Sequence, residues 1–204
     1  MSRVPNLLLA LPLLACGAST WAVDTALISD TGIASQGVLS VNVTAGEHNT
    51  AANLRAIAVN PDGTAIAVVS GAAVQGAVSM PGVGSVQSAQ ISGAAFSGFN
   101  GVLGVNQQAG RGNVSANLLG VAQGASTGVV TVFTVKQADD GLLADSVANP
   151  LQQLLGDVTS VQQVGIDPGA FKGTSGVVQI NQVAGNGNIT GNVLAVQFSR
   201  PPGL

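Results

Sequence analysis

Hydrophobic residues in this chain alternate with small and polar ones over short stretches, as in Val102-Leu103-Gly104-Val105-Asn106 and Ile189-Thr190-Gly191-Asn192-Val193-Leu194. A period of two predicts strands, each buried on one face. The pattern also recurs. Gly37–Val59 (GVLSVNVTAGEHNTAANLRAIAV), Gly101–Gln123 (GVLGVNQQAGRGNVSANLLGVAQ) and Gly176–Phe198 (GVVQINQVAGNGNITGNVLAVQF) align without gaps on the frame G-V-[LV]-x-[VI]-N-x-x-A-G-x-x-N-x-x-x-N-[LV]. Asn42, Asn106 and Asn181 correspond, as do Asn49, Asn113 and Asn188, and then Asn53, Asn117 and Asn192. Similarity reaches upstream into Ala26–Ser29, Ile91–Phe96 and Ile166–Phe171, giving repeats at about 26–59, 88–123 and 163–198. The repeats are not tandem, because linkers 60–87 and 124–162 separate them.

Each unit is expected to run strand, turn, strand, strand. Gly46, Gly110 and Gly185 mark the corner, where a positive φ costs glycine nothing, and the asparagine three residues later suits a turn. Such a unit cannot bury its apolar face alone, so copies are expected to stack. Identical residues then lie roughly 4.8 Å apart, and a buried column of asparagines can bond amide to amide along the stack. A buried amide without a partner costs about 1–3 kcal/mol, which only another copy of the unit can offset here. The expected fold is all-β, either β-solenoid-like or stacked β-arch layers built from three non-tandem repeats, in a single domain over 23–204. A β-sandwich with an eroded duplication is the plainer alternative. It does not explain Asn53, Asn117 and Asn192, which sit beyond the turn inside the second apolar run.

In the linkers, Asn60-Pro61-Asp62-Gly63 is a turn signal, while Ala65–Val69 and Gly128–Val135 look like additional strands. Ala138–Gly156 is the one plausible helix, broken by Pro150. Residues 1–22 read as a secretory signal peptide: Arg3, an apolar core Leu7–Ala15, and Thr20-Trp21-Ala22 as the cleavage site. The competing reading lipidates Cys16, the single cysteine. Either way the protein is expected to be exported.

Composition narrows the function further. Only 7% of residues are charged, the net charge is −3, and Arg3, Arg55, Arg111, Lys136, Lys172 and Arg200 are scattered, so nucleic-acid binding is not expected. A charge repeated along a stack would repel its own image. Gly124-Ala125-Ser126-Thr127-Gly128 matches the regex of a hydrolase elbow, but a β-branched run follows where that motif needs a helix. His48 is the sole candidate base, at a turn position that Gly112 and Gly187 fill in the other repeats. One histidine, one glutamate and Asp62 or Asp139-Asp140 do not make a metal site. No enzymatic activity, cofactor, metal or small-molecule substrate is expected. Asn42-Val43-Thr44, Asn113-Val114-Ser115 and Asn188-Ile189-Thr190 match glycosylation acceptors as by-products of the repeat.

The segments GVLSVNVTAGEHNTAANL, AFSGFNGVLGVNQQAGRGNVSANL and AFKGTSGVVQINQVAGNGNITGNV resemble the repeats of Fap proteins, functional-amyloid fimbriae of Gram-negative bacteria. Gln108-Ala109-Gly110-Arg111-Gly112-Asn113 is more weakly similar to the Q-x-G-x-x-N core of curli repeats. The resemblance implies export through the periplasm and an outer-membrane pore, then assembly with itself or homologous subunits into cross-β fibres that support adhesion and biofilms. It implies a fibre core of Asn42, Asn49, Asn53, Asn106, Asn113, Asn117, Asn181, Asn188 and Asn192. Where major subunits often end in C-x-x-C, this chain ends Arg200-Pro201-Pro202-Gly203-Leu204, so a subunit, a nucleator and a minor component all stay open. The alternative of another class is a monomeric surface adhesin whose repeats stack only on themselves.

Overall fold

The β-branched and small residues of each repeat extend into three strands joined by tight corners. The computed structural model describes residues 22–74, 85–136 and 160–199. Of the expected signal peptide over 1–22 all but Ala22 lies outside the described residues, as do Cys16 and the helix expected over 138–156. The first layer contains β1 (Ala22–Ser29), β2 (Gln36–Ala45) and β3 (Thr50–Val74). The second contains β4 (Ser85–Ser92), β5 (Asn100–Ala109) and β6 (Val114–Lys136). The third contains β7 (Val161–Ile166), β8 (Ser175–Ala184) and β9 (Ile189–Ser199). Each strand pairs in parallel with its counterpart in the next layer, giving three sheets ordered β1-β4-β7, β2-β5-β8 and β3-β6-β9. This is the all-β stack of layers that the repeat predicts.

Alternation sorts the side chains between the sheets. Ile28 and Ile91 face Leu39, Val41, Leu103 and Val105 in an apolar core closed by Phe96 and Phe99. The other face of β2 and β5 carries the asparagines toward β3 and β6. Beyond them, the far face of β3 holds Ala52, Leu54 and Ala56, which pack with Val69 and Leu118.

Val69 reaches that face because the chain doubles back within β3. Asn60 Nδ2 donates to the Thr64 carbonyl at 3.1 Å, and its Oδ1 accepts from the Asp62 backbone N–H at 3.3 Å, which closes the corner. Asn60-Pro61-Asp62-Gly63 is therefore a turn, as its sequence signals. The runs read as additional strands are return arms of β3 and β6, and they pair with each other from Thr64↔Ser126 to Val74↔Lys136. Register shifts between Asn60 and Thr64, so these arms share no gapless alignment with the repeat frame. Each layer thus folds as successive β-arches, and in the second layer the stacking buries both faces of the central strand β5.

Candidate functional site: the buried amide columns

Asn42, Asn106 and Asn181 occupy one register position on β2, β5 and β8, and Asn53, Asn117 and Asn192 occupy one on β3, β6 and β9. The two columns face each other across the arch. Asn106 Nδ2 donates to Asn42 Oδ1 at 2.9 Å, and Asn181 Nδ2 donates to Asn106 Oδ1 at 2.9 Å. In the facing column, Asn117 Nδ2 donates to Asn53 Oδ1 and Asn192 Nδ2 to Asn117 Oδ1, each at 2.9 Å. Rungs join the columns: within each layer the β3-type asparagine donates to the β2-type one, at 2.7, 3.1 and 3.1 Å. Asn106, Asn117 and Asn181 are buried, so each amide depends on its neighbours for the partners water would supply.

The corner carries a third column. Asn113 Nδ2 donates to Asn49 Oδ1 at 3.1 Å, and Asn188 Nδ2 to Asn113 Oδ1 at 3.0 Å. The same oxygens accept the backbone N–H groups of Asn113 and Asn188 at 3.0 Å. Beside them Gly46, Gly110 and Gly185 have φ of 94°, 115° and 141°. A Cβ on Gly110 would collide with the Gly185 carbonyl, so close stacking as well as φ demands glycine. His48 adopts φ 57° where Gly112 and Gly187 have 64° and 70°, a left-handed position that glycine fills without strain.

Other polar residues join the columns. Gln182 Nε2 donates to Gln107 Oε1 at 2.8 Å, on the apolar side of β5 and β8. Position 43 in the first repeat is valine, so the frame gives no signal for this pair. Arg55 reaches across the first layer to donate to Ser40 Oγ and, at 3.0 Å, to the Leu39 carbonyl. A Cβ on Gly104, one layer on, would collide with its Nη2. Burial pushes the Arg55 guanidinium below its ordinary pKa. The Asp30 carboxyl is held below its ordinary range, chiefly by the Ala94 N–H at 2.8 Å and then by the Ser29 hydroxyl at 3.1 Å.

For catalysis the backbone offers little. Gly124–Gly128 lies within β6, which continues as strand to Lys136, so no helix follows Ser126. Among the described residues no group of three His, Cys, Asp or Glu side chains could hold a metal ion, and no helix is long and apolar enough to cross a membrane. Asn113 of the second acceptor triplet is buried.

What the arrangement can do is extend. The second layer buries Ala89 and Ile91 completely, and Ala26 and Ile28 at the same positions of the first layer are buried too, but Val164 and Ile166 of the third layer are 51% and 48% exposed, and the first layer instead exposes Leu27, Val38 and Ile57. A family model described as functional amyloid protein FapB/FapC family matches residues 16–199. No solved structure matches the chain.

Proposed function

The chain belongs to the FapB/FapC family of functional amyloid proteins, and from that premise we propose that it is a secreted structural protein of extracellular cross-β fimbriae that support adhesion and biofilm cohesion. Each copy supplies three layers. The fibre-stacking residues are Asn42, Asn49 and Asn53 on one open end and Asn181, Asn188 and Asn192 on the other, with Asn106, Asn113 and Asn117 continuing the columns between them. The observation that carries this reading is the contrast between the buried middle layer and the open end layers. Solenoid proteins that stay monomeric need polar terminal caps, whereas the described strands of the end layers here expose apolar side chains such as Leu27, Val38, Val164 and Val193.

In this reading the chain leaves the cell by its signal peptide, crosses the periplasm and passes an outer-membrane pore, and its partners are further copies or homologous repeat subunits. Incubating the protein from Val23 onward should give fibres with a reflection near 4.8 Å and a thioflavin signal. A chain that stays monomeric under those conditions refutes the proposal.

A further inference from the structure

The amide columns have a direction. In the Asn106–Asn42, Asn181–Asn106, Asn117–Asn53, Asn192–Asn117, Asn113–Asn49 and Asn188–Asn113 bonds, the later layer donates its side-chain N–H and the earlier layer accepts on its side-chain oxygen. The Gln182–Gln107 bond runs the same way. The third layer therefore ends the columns on their acceptor side. Joining two third layers would set oxygen against oxygen, and joining two first layers would set N–H against N–H.

Of the four buried side-chain atoms without a hydrogen-bond partner among the described residues, Gln87 and Gln108 Oε1 lie in the second layer and the other two lie in the end layers. Gln179 is 6% exposed, and its Oε1 has no hydrogen-bond partner among the described residues. Its Nε2 donates back to the Leu118 carbonyl in the second layer at 3.0 Å. At the opposite end, the buried Nε of Arg55 also has no partner among the described residues. Ser40, Gly104 and Gln179 share one register position, and Arg55, Leu119 and Leu194 share another. A first layer placed as the next rung on a third layer brings Ser40 and Arg55 of the incoming copy next to Gln179.

Resting on the fibre reading above, we infer that copies join head to tail: the third layer of one receives the first layer of the next, and Gln179 Oε1 accepts from the Ser40 hydroxyl and the Arg55 guanidinium of the incoming copy. The fibre is then polar, with chemically different ends, and this junction completes two atoms, Gln179 Oε1 and Arg55 Nε, that have no partner among the described residues.

Seeded elongation of wild-type fibres with the chain from Val23 onward tests the junction. Gln179→Arg sets two guanidinium groups together and should slow growth at least tenfold, while Gln179→Arg combined with Arg55→Glu should restore it to within about threefold of wild type. Symmetric joining predicts the opposite, with arginine meeting arginine and glutamate meeting glutamate, so a double variant as slow as Gln179→Arg overturns the inference. Gln179→Glu alone should speed growth about fivefold at low salt and lose the gain at high salt, an acceleration no misfolded variant can produce. Absence of that acceleration also overturns it. Wild-type fibres without rescue sink the junction alone; a wild-type chain that never elongates sinks the fibre reading and the junction with it.

Discussion

Asn117 is the amide on which the columns depend most, and changing one of its atoms tests whether they carry stability. Its side chain is 1% exposed. Nδ2 donates to Asn53 Oδ1 at 2.9 Å, the Val105 carbonyl at 3.1 Å and Asn106 Oδ1 at 3.1 Å, while Oδ1 accepts from Asn181 Nδ2 at 3.0 Å and Asn192 Nδ2 at 2.9 Å. Asn117→Leu keeps the number and branching of the side-chain atoms, with somewhat more bulk, and removes all of these. Asn181 and Asn192 keep other acceptors at Ala116 and Ile180, so at about 1 kcal/mol net per bond the loss is roughly 2–3 kcal/mol. Asn117→Asp keeps the shape but points a second oxygen at three acceptors. The buried charge is disfavoured, so burial pushes the introduced carboxyl well above its ordinary pKa, and roughly 4 kcal/mol is lost once it must ionise. Because that folded-state pKa lies above the unfolded one, the stability is present at low pH and disappears as pH rises through the raised value. Urea midpoints relative to wild type should place Asn117→Asp below Asn117→Leu near neutral pH, and level with or above it near pH ~4. An aspartate variant that matches wild type at neutral pH, or whose midpoint ignores pH, refutes the claim that this amide is a buried donor to its neighbours.

Gly110→Ala would place a methyl against the Gly185 carbonyl at φ 115° and should cost more than ~2 kcal/mol, whereas Gly173→Ala, with φ 70° but open space around it, should cost only about 1 kcal/mol; urea midpoints measured together check the ranking. Phe96 is buried against Phe171, with ring centroids 5.2 Å apart, so Phe96→Ala should lose about 3–5 kcal/mol in the same assay. Asp30 takes the Ala94 N–H with its pKa held below the ordinary 3.8; its contribution is therefore complete above that value and lost as pH falls through the lower one. The stability gap between wild type and Asp30→Asn should accordingly close on acidification.

The three asparagine positions were readable because the same residue recurs at the same distance from the same glycine, and a column needs that identity. The strand pairs followed, since gapless alignment of the repeats is also their register. The return arms were harder to read: Pro61, Asp62 and Gly63 sit opposite Ala125 alone, which displaces Thr64–Val74 against the repeat frame. Their pairing depends on extended backbone rather than on repeated side chains. Gln179 and Arg55 act where the repeats differ, and the Gln107–Gln182 pair has Val43 at its position in the first repeat, so a frame drawn from all three repeats hides them.

Along each asparagine column the hydrogen-bonding partner lies 64 residues away between the first two layers and 75 between the last two. Within a free chain every such pairing requires closing a loop of that length, an entropic cost of about 4 kcal/mol before the first inter-layer bond forms. Folding of so non-local a topology is slow. On the proposed fibre reading, a chain in transit then remains unfolded long enough to be exported. On the same reading, an existing fibre end offers the neighbouring layer with no loop to close, so the fold forms fastest where a copy has already folded, and the long spacing between repeats acts as a kinetic delay that confines assembly to a growing tip.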